Sequence, residues 1–507
     1  MDARGRGRPA GETYAGDMWR GDEGRPIEVV LVEDDGDRGP VDRAGAAGAV
    51  ARPPARRSRR VALAAALAAV LVGLLAVDAA SARRERAALA AHADVPGVVS
   101  SLAEPLSEAW RLQRTDQLWA LGGAVLTVDD RDGLVGLDPA DGRRRWSAPL
   151  PAGATSLWAQ CLYDGVTPDG RAAVACVVPR GPDPGPPEPG APIAGVDLGI
   201  DVLDAADGRV VASVPLPPRV TQLEAVGSHV DWVETTDDAV VIVRDDVVPG
   251  DEQWRAPLGD LEVPGLSVLH PTGDVVALEG PTTVVVDAED GSELGRWAAA
   301  SDGVEPAAAR VLGHPGTGFG VWGSQFSGRW YAPDGTPGPA LEGAPVEPPV
   351  DDASTPGVVL LQSVDADVVR AVDVTTGDEL WSRPQLGRVL MRLGGRVVQT
   401  GDGRMEALDV ATGERLWQVT LDEGEDPNLG DPYTDGVRLV VRGEAADGNL
   451  RLTAYDLADG DQVWRAPLPE GSEYVLVLGD RLAAVGRPEG SRAEMVMFLG
   501  GGGPVHP

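Results

Sequence analysis

Residues 386–417 read LGRVLMRLGGRVVQTGDGRMEALDVATGERLW, and this stretch decides the fold. Three apolar runs rich in Val, Leu and Met are punctuated by Gly394 with Gly395 and by Asp402 with Gly403. Such pairs supply the positive φ of tight hairpin turns, so the segment predicts three short strands joined up and down. A fourth strand is expected to open at Trp417. The closing pattern, an apolar residue and Asp, then Gly four positions later and Trp at eight, recurs along the chain.

Five copies are complete. They are Asp138 with Gly142 and Trp146, Asp246 with Gly250 and Trp254, Asp373 with Gly377 and Trp381, Asp409 with Gly413 and Trp417, and Asp456 with Gly460 and Trp464. Two more keep the acid and the glycine without the aromatic register: Asp204 with Gly208, and Asp287 with Gly291, where Trp297 stands two residues late. The Asp carboxylate can accept backbone N–H groups of a turn, the Gly permits its tight geometry, and the Trp offers a flat ring to pack between sheets.

Successive Asp positions are 66, 42, 41, 86, 36 and 47 residues apart. The 86 holds an eroded copy, with its turn near Asp334 and Gly335. The 66 is one period plus the Pro-rich insertion 179–192, a protruding loop because proline cannot join a ladder. Eight units result, or seven if the stretch around Trp330 is only a loop. A period in the low forties with strand-like alternation predicts an all-β chain: a β-propeller of four-stranded blades over residues 106–500, closed by strands from both termini. Composition agrees, with 66 Gly, 43 Pro and only 3 Phe.

The chain has no Lys, and its bias toward Ala, Gly, Val, Asp and Arg suggests a G+C-rich, actinobacterial genome. Residues 1–60 hold 12 Arg and 11 Asp or Glu, so nearly all of the net charge of −35 follows residue 93. An acidic domain repels phosphate backbones, and no nucleic acid partner is expected.

Val61 to Val77 reads VALAAALAAVLVGLLAV, and the apolar stretch extends to Ala82, which predicts one transmembrane helix over 61–82. Five Arg lie between Arg52 and Arg60 ahead of it, against Arg83, Arg84 and Arg86 with Glu85 behind, which favours a cytoplasmic N-terminus and an exported propeller. The alternative is a signal peptide cleaved after Ala82, although sixty residues is long for an n-region. Residues 83–105 are expected as a linker and 501–507 as a tail. Cys161 and Cys176 flank a turn-like GVTPDG, and a hairpin centred between Pro168 and Asp169 sets them opposite one another. A disulfide is expected, as suits an exported domain, with two buried thiols as the alternative. The tail 1–60 is too polar to fold, apart from Ile27 to Asp37, IEVVLVEDDGD, which is either a motif that adds as a strand to a cytoplasmic partner or a chance apolar run.

The repeat resembles the PQQ-like repeat of bacterial quinoprotein dehydrogenases and of the propeller lipoprotein that helps assemble outer-membrane proteins. The resemblance covers nearly all of 106–500. It implies the fold rather than an activity, because the repeat is structural in every blade. The quinoprotein enzymes carry adjacent cysteines beside the quinone, a calcium ion and a catalytic Asp; here the cysteines are fifteen positions apart and no calcium cluster maps onto the chain. His92, His229, His270, His314 and His506 show no metal-ligand spacing, and the Asp–Gly turns lack the ligand density and closing Glu of an EF-hand. No catalytic residue, metal or cofactor is therefore expected, PQQ being implied by resemblance alone. The expected function is a membrane-anchored, extracytoplasmic, non-catalytic scaffold that binds an envelope protein or surface ligand through its loops. The alternatives are a PQQ-dependent oxidoreductase with a divergent site and a transmembrane sensor working through a partner.

Overall fold

The structure is a computed structural model. It describes residues 83–501 apart from short stretches, the longest being 150–159, 181–196, 262–267, 299–308, 423–430 and 489–493. The expected membrane span 61–82, the motif at 27–37, Gly250, nearly all of the insertion 179–192 and the tail 502–507 lie outside the described residues. No described helix is long and apolar enough to cross a membrane.

Residues 386–417 fold as their turns require. Strands Arg388–Leu393, Arg396–Gly401, Arg404–Asp409 and Arg415–Thr420 form one meander, the last opening two residues before Trp417. Gly394, Gly395 and Gly403 take φ of +57°, +73° and +68°, the left-handed values these hairpins need.

Among the described residues this unit recurs as nine sheets. Sheets one to eight occupy 118–148, 160–215, 220–259, 268–298, 310–342, 344–384, 388–420 and 433–467, and the ninth joins 472–501 to the strand Leu106–Gln113. From sheet one to sheet five the first strands are neighbours of one another, which places them innermost. Nine apolar clusters each bridge two adjacent sheets. Val125 and Val135 of sheet one pack on Ala483, Val485 and Phe498 of sheet nine, which closes the ring. Because a sheet inside the ring is covered on both faces, its middle strands are buried throughout, as Leu198–Asp204 and Val240–Asp246 nearly are.

Nine sheets correct the expectation of eight, or alternatively seven. The repeat was counted by Asp–Gly turns, which join the third and fourth strands of a sheet. In sheet nine the third strand, Met495–Gly501, pairs with Leu106–Gln113 from the other end of the described chain, so no turn connects them. The seven-unit alternative fails as well, because Ser327–Tyr331 and Pro337–Glu342 are full strands of sheet five. The turn between them is one residue shorter than the repeat: Ala332 N–H donates to Thr336 O and Gly335 N–H to Ala332 O, each at 2.9 Å.

Asp204, Asp287, Asp373, Asp409 and Asp456 organise their turns as Asp138 does. Gly142 N–H donates to Asp138 O at 2.8 Å, and Ala140 N–H donates to its carboxylate at 2.8 Å. That bond, and then Arg145, hold the Asp138 carboxyl below its ordinary range. Four of the complete copies lock their own sheet to the turn of the next one through the Trp. The indole N–H groups of Trp146, Trp254, Trp381 and Trp417 donate to Ala205, Ala288, Val410 and Leu457 at 2.9, 3.1, 2.7 and 2.9 Å, the residue after the repeat Asp of the next sheet. Their rings cover Gly208, Gly291, Gly413 and Gly460 so closely that a Cβ there would lie 2.4–2.8 Å away. Where Gly295 replaces the repeat Trp, the ring of Trp297 folds back over it.

Residues ahead of Leu106 complete the ring. Val99 N–H donates to Thr434 O at 2.8 Å and Ser100 N–H to Asp480 O at 2.6 Å, while Val99 and Leu102 are buried against sheets eight and nine. The stretch expected as a linker thus ends in a strap that belongs to the propeller. Cys161 and Cys176 are cross-strand partners and are joined by a disulfide.

Candidate functional site

The regular ring is broken at sheet six. Its innermost strand is only Ala344–Pro345, paired with Leu361 and Gln362. Pro348 and Pro349 follow, and neither can donate to a ladder. The chain crosses instead to sheet seven, where Val350–Asp351 pairs in parallel with Met391 and Arg392. The departure leaves a pocket of about 540 Å³ walled by Thr272, Leu312, His314, Val359 and Leu360, with Arg392 at its base.

Arg392 is 3% exposed and fully engaged. Its Nε donates to Asp351 Oδ1 at 2.8 Å, Nη2 lies 2.6 Å from Asp351 Oδ2, and Nη1 donates to Val358 O at 2.8 Å. Nη2 also meets His314 Nε2 at 3.4 Å. A guanidinium can only donate, so Nε2 accepts and the imidazole proton sits on Nδ1. That atom is buried and has no acceptor among the described residues. Burial, and then the Arg392 charge, push His314 down to about 4, so the ring is neutral.

Two charged pairs, each with one member lining the pocket, stand beside it. His270 Nδ1 lies 3.6 Å from Glu279 Oε1, which also accepts Val311 N–H at 2.7 Å. Glu279 raises the pKa of His270 against the opposing effect of burial. Arg310 is paired with Glu347, and burial raises the nearby Glu224.

These groups test the cofactor that the repeat implies. A quinone bearing several carboxylates needs free cations, yet Arg392, the Arg that lines the pocket among the described residues, is committed to Asp351, and the neighbouring Arg310 to Glu347. Cys176 is buried between sheets one and two, remote in the fold from this pocket. The donor set does not fit such a quinone. Among the described residues no three His, Cys, Asp or Glu side chains are grouped to hold a metal ion.

The repeat residues do not line the pocket: Asp138, Asp204, Asp246, Asp287, Asp373, Asp409 and Asp456 stand at the turns, and Trp464 meets the strap. Two histidines without any motif, His270 and His314, do line it. His92 lies beside Asp352, His229 beside Asp246, and His506 is outside the described residues. Sequence reasoning also missed Trp110. Its Nε1 donates to Pro139 O at 3.0 Å and its ring covers Gly142, so it serves sheet nine as the repeat Trp serves the others. The signal was available, since a ring closed by an N-terminal strand must take its aromatic from there.

The second asymmetry is between the two faces of the ring. Connections 149–159, 180–197, 260–267, 299–309, 421–432 and 487–494 are the ones longer than six residues, and all join strand ends on the face opposite the Asp–Gly turns.

Nine four-stranded units around an axis define a β-propeller. Residues 312–486, about a third of the chain, match the family model described as outer membrane protein assembly factor BamB. Among solved structures, the chain is similar to BamB from Moraxella catarrhalis, with 15% identity, 78% of this chain and 100% of that one covered, and a TM-score of 0.37. It is also similar to the quinohemoprotein alcohol dehydrogenase ADHIIG from Pseudomonas putida HK5, with 13% identity, coverage of 79% and 77%, and a TM-score of 0.36. The quinohemoprotein alcohol dehydrogenase from Comamonas testosteroni gives 12%, 81% and 79%, and 0.37. No curated protein matches the chain.

Proposed function

We propose that this protein is a membrane-anchored, extracytoplasmic scaffold that binds an envelope protein through one face of its propeller. The observation that carries the reading is the division of labour between the faces. Turns and aromatics of the repeat are consumed in locking sheet to sheet, while every connection longer than six residues begins and ends on the opposite face, on strand ends that the ring holds in place. That arrangement gives a broad surface suited to a protein rather than a deep catalytic cleft. The family model, named for an assembly factor, supports the same direction.

The test is affinity capture from crosslinked native membranes with the intact chain and with a version lacking residues 1–60, and the exported domain is assayed in parallel for PQQ binding and dye reduction. Envelope proteins held by both versions support the scaffold. Saturable PQQ binding with substrate-dependent dye reduction replaces it with an oxidoreductase. Partners lost with residues 1–60 favour a sensor acting through the 27–37 motif.

A further inference from the structure

The chain enters the ring on the face of the Asp–Gly turns. His92 Nδ1 lies 3.8 Å from Asp352 Oδ2, and Asp352 in turn accepts Gly394 N–H at 2.7 Å. The strap then donates backbone hydrogen bonds to Thr434, Asp435 and Asp480, at or beside the turns between the first and second strands of sheets eight and nine. Those turns lie near the axis, because the first strands are innermost. Leu106–Gln113 then runs away from this face as the outer strand of sheet nine.

We propose that the propeller holds its Asp–Gly-turn face toward the bilayer and presents the long-connection face outward to its protein partner. The inference rests on the anchored reading above, with the anchor ending at Ala82. Tether length decides it. The ten steps from residue 82 to 92 span at most ~36 Å when fully extended. Arg83, Arg86, Ala87, Ala90 and Ala91 have helical backbone, so those five steps cover only ~8 Å and the ten together at most ~26 Å. In the opposite orientation the tether must pass the depth of a six-residue strand, ~20 Å, and then cross four strands from the rim to the inner turns, ~15–20 Å more. A tether of at most ~26 Å reaches the near face only. The acid of that face, exposed at Asp141, Asp207, Asp290 and Asp459, disfavours contact with anionic headgroups, so the ring stands off the surface rather than lying in it.

The full chain is prepared as Ala411→Cys or Thr420→Cys. These exposed positions sit just before the start and at the end of the outer strand of sheet seven, and the native disulfide is retained. Each is nitroxide-labelled and reconstituted in phosphatidylcholine vesicles containing a nickel-chelating lipid, and relaxation of the label by surface nickel is measured. Several-fold stronger relaxation at 411 than at 420 is expected. Thr376→Cys, in the corresponding turn of sheet six, should match 411 and replaces it if that variant folds poorly. Equal relaxation, or stronger relaxation at 420, overturns the orientation while leaving the anchor intact. Failure of the unlabelled chain to float with the vesicles overturns the anchor and the orientation together.

Discussion

Trp464 donates its indole N–H to the carbonyl of Leu102, 2.7 Å away and 362 positions earlier in the chain. Leu102 N–H in turn donates to Asp435 Oδ2 at 2.8 Å. The strap therefore supplies sheet nine with the backbone acceptor that an Asp–Gly turn supplies elsewhere. Asp435 is fully buried and also pairs with Arg438 at 2.8 Å. Asp435→Ala removes the buried carboxylate that pairs with Arg438 and accepts the Leu102 amide, and should lower unfolding free energy in urea by about 3–5 kcal/mol. Trp464→Phe removes one hydrogen bond and should cost about 1–2 kcal/mol. Equal midpoints for wild type and Asp435→Ala would show that the strap is not needed for closure.

The turn glycines separate two costs. Gly403 has φ +68° with nothing near its missing Cβ, whereas Gly460 has φ +79° and a Cβ would meet the Trp417 ring at 2.8 Å. Gly403→Ala should lose only the left-handed strain, about 1–2 kcal/mol. Gly460→Ala should lose a further ~1–3 kcal/mol by displacing the indole. Denaturation of both variants, with Trp417 fluorescence as a second probe, measures the difference.

The Cys161–Cys176 bond closes a loop of 15 residues. Loop-closure entropy assigns such a bond about 3 kcal/mol. Dithiothreitol should lower the unfolding midpoint of the wild type accordingly and leave the Cys161→Ala, Cys176→Ala double variant unmoved. A reductant effect on the double variant would place the sensitivity elsewhere.

His314 sets a pH limb. Its folded value of about 4 lies below its ordinary 6.5, so between those values the unfolded chain takes up a proton that the folded chain refuses. Stability then rises with pH across that window and is level above it. Glu279 raises the value of His270, so that side chain contributes in the opposite sense, and its stabilisation is lost as pH rises through its folded value. His314→Gln should flatten the acid limb of urea stability measured from pH 4 to 7. An unchanged slope would assign the limb to carboxylates.

Legibility followed the range of the interactions involved. Residues 386–417 declared four strands because each turn is local and needs Gly394, Gly395, Gly403 or Gly413. The disulfide was legible because a hairpin pairs residues symmetrically about its turn. Sheet nine was hidden because Trp110 finds Phe498, stacked at 3.9 Å between ring centres, only after the ring closes. The strap read as a linker since Val98, Val99 and Leu102 show no strand alternation; their partners are Thr434 and Asp435, far along the chain. The pocket gave no signal because it depends on a strand that leaves its own sheet, and because His314 and Arg392 stand 78 positions apart.

Closure by Leu106–Gln113 also orders events in time. The first strand of the ring to leave the ribosome is the last to find its place, since its partner Met495–Gly501 is made nearly 400 residues later. Until then sheet one lacks its neighbour and the edge of Leu106–Gln113 is unpaired, a template for pairing with other chains. Contacts of such separation slow folding. A chain built this way depends on something holding its early strands apart until synthesis is complete, and the cell that makes it must provide that delay.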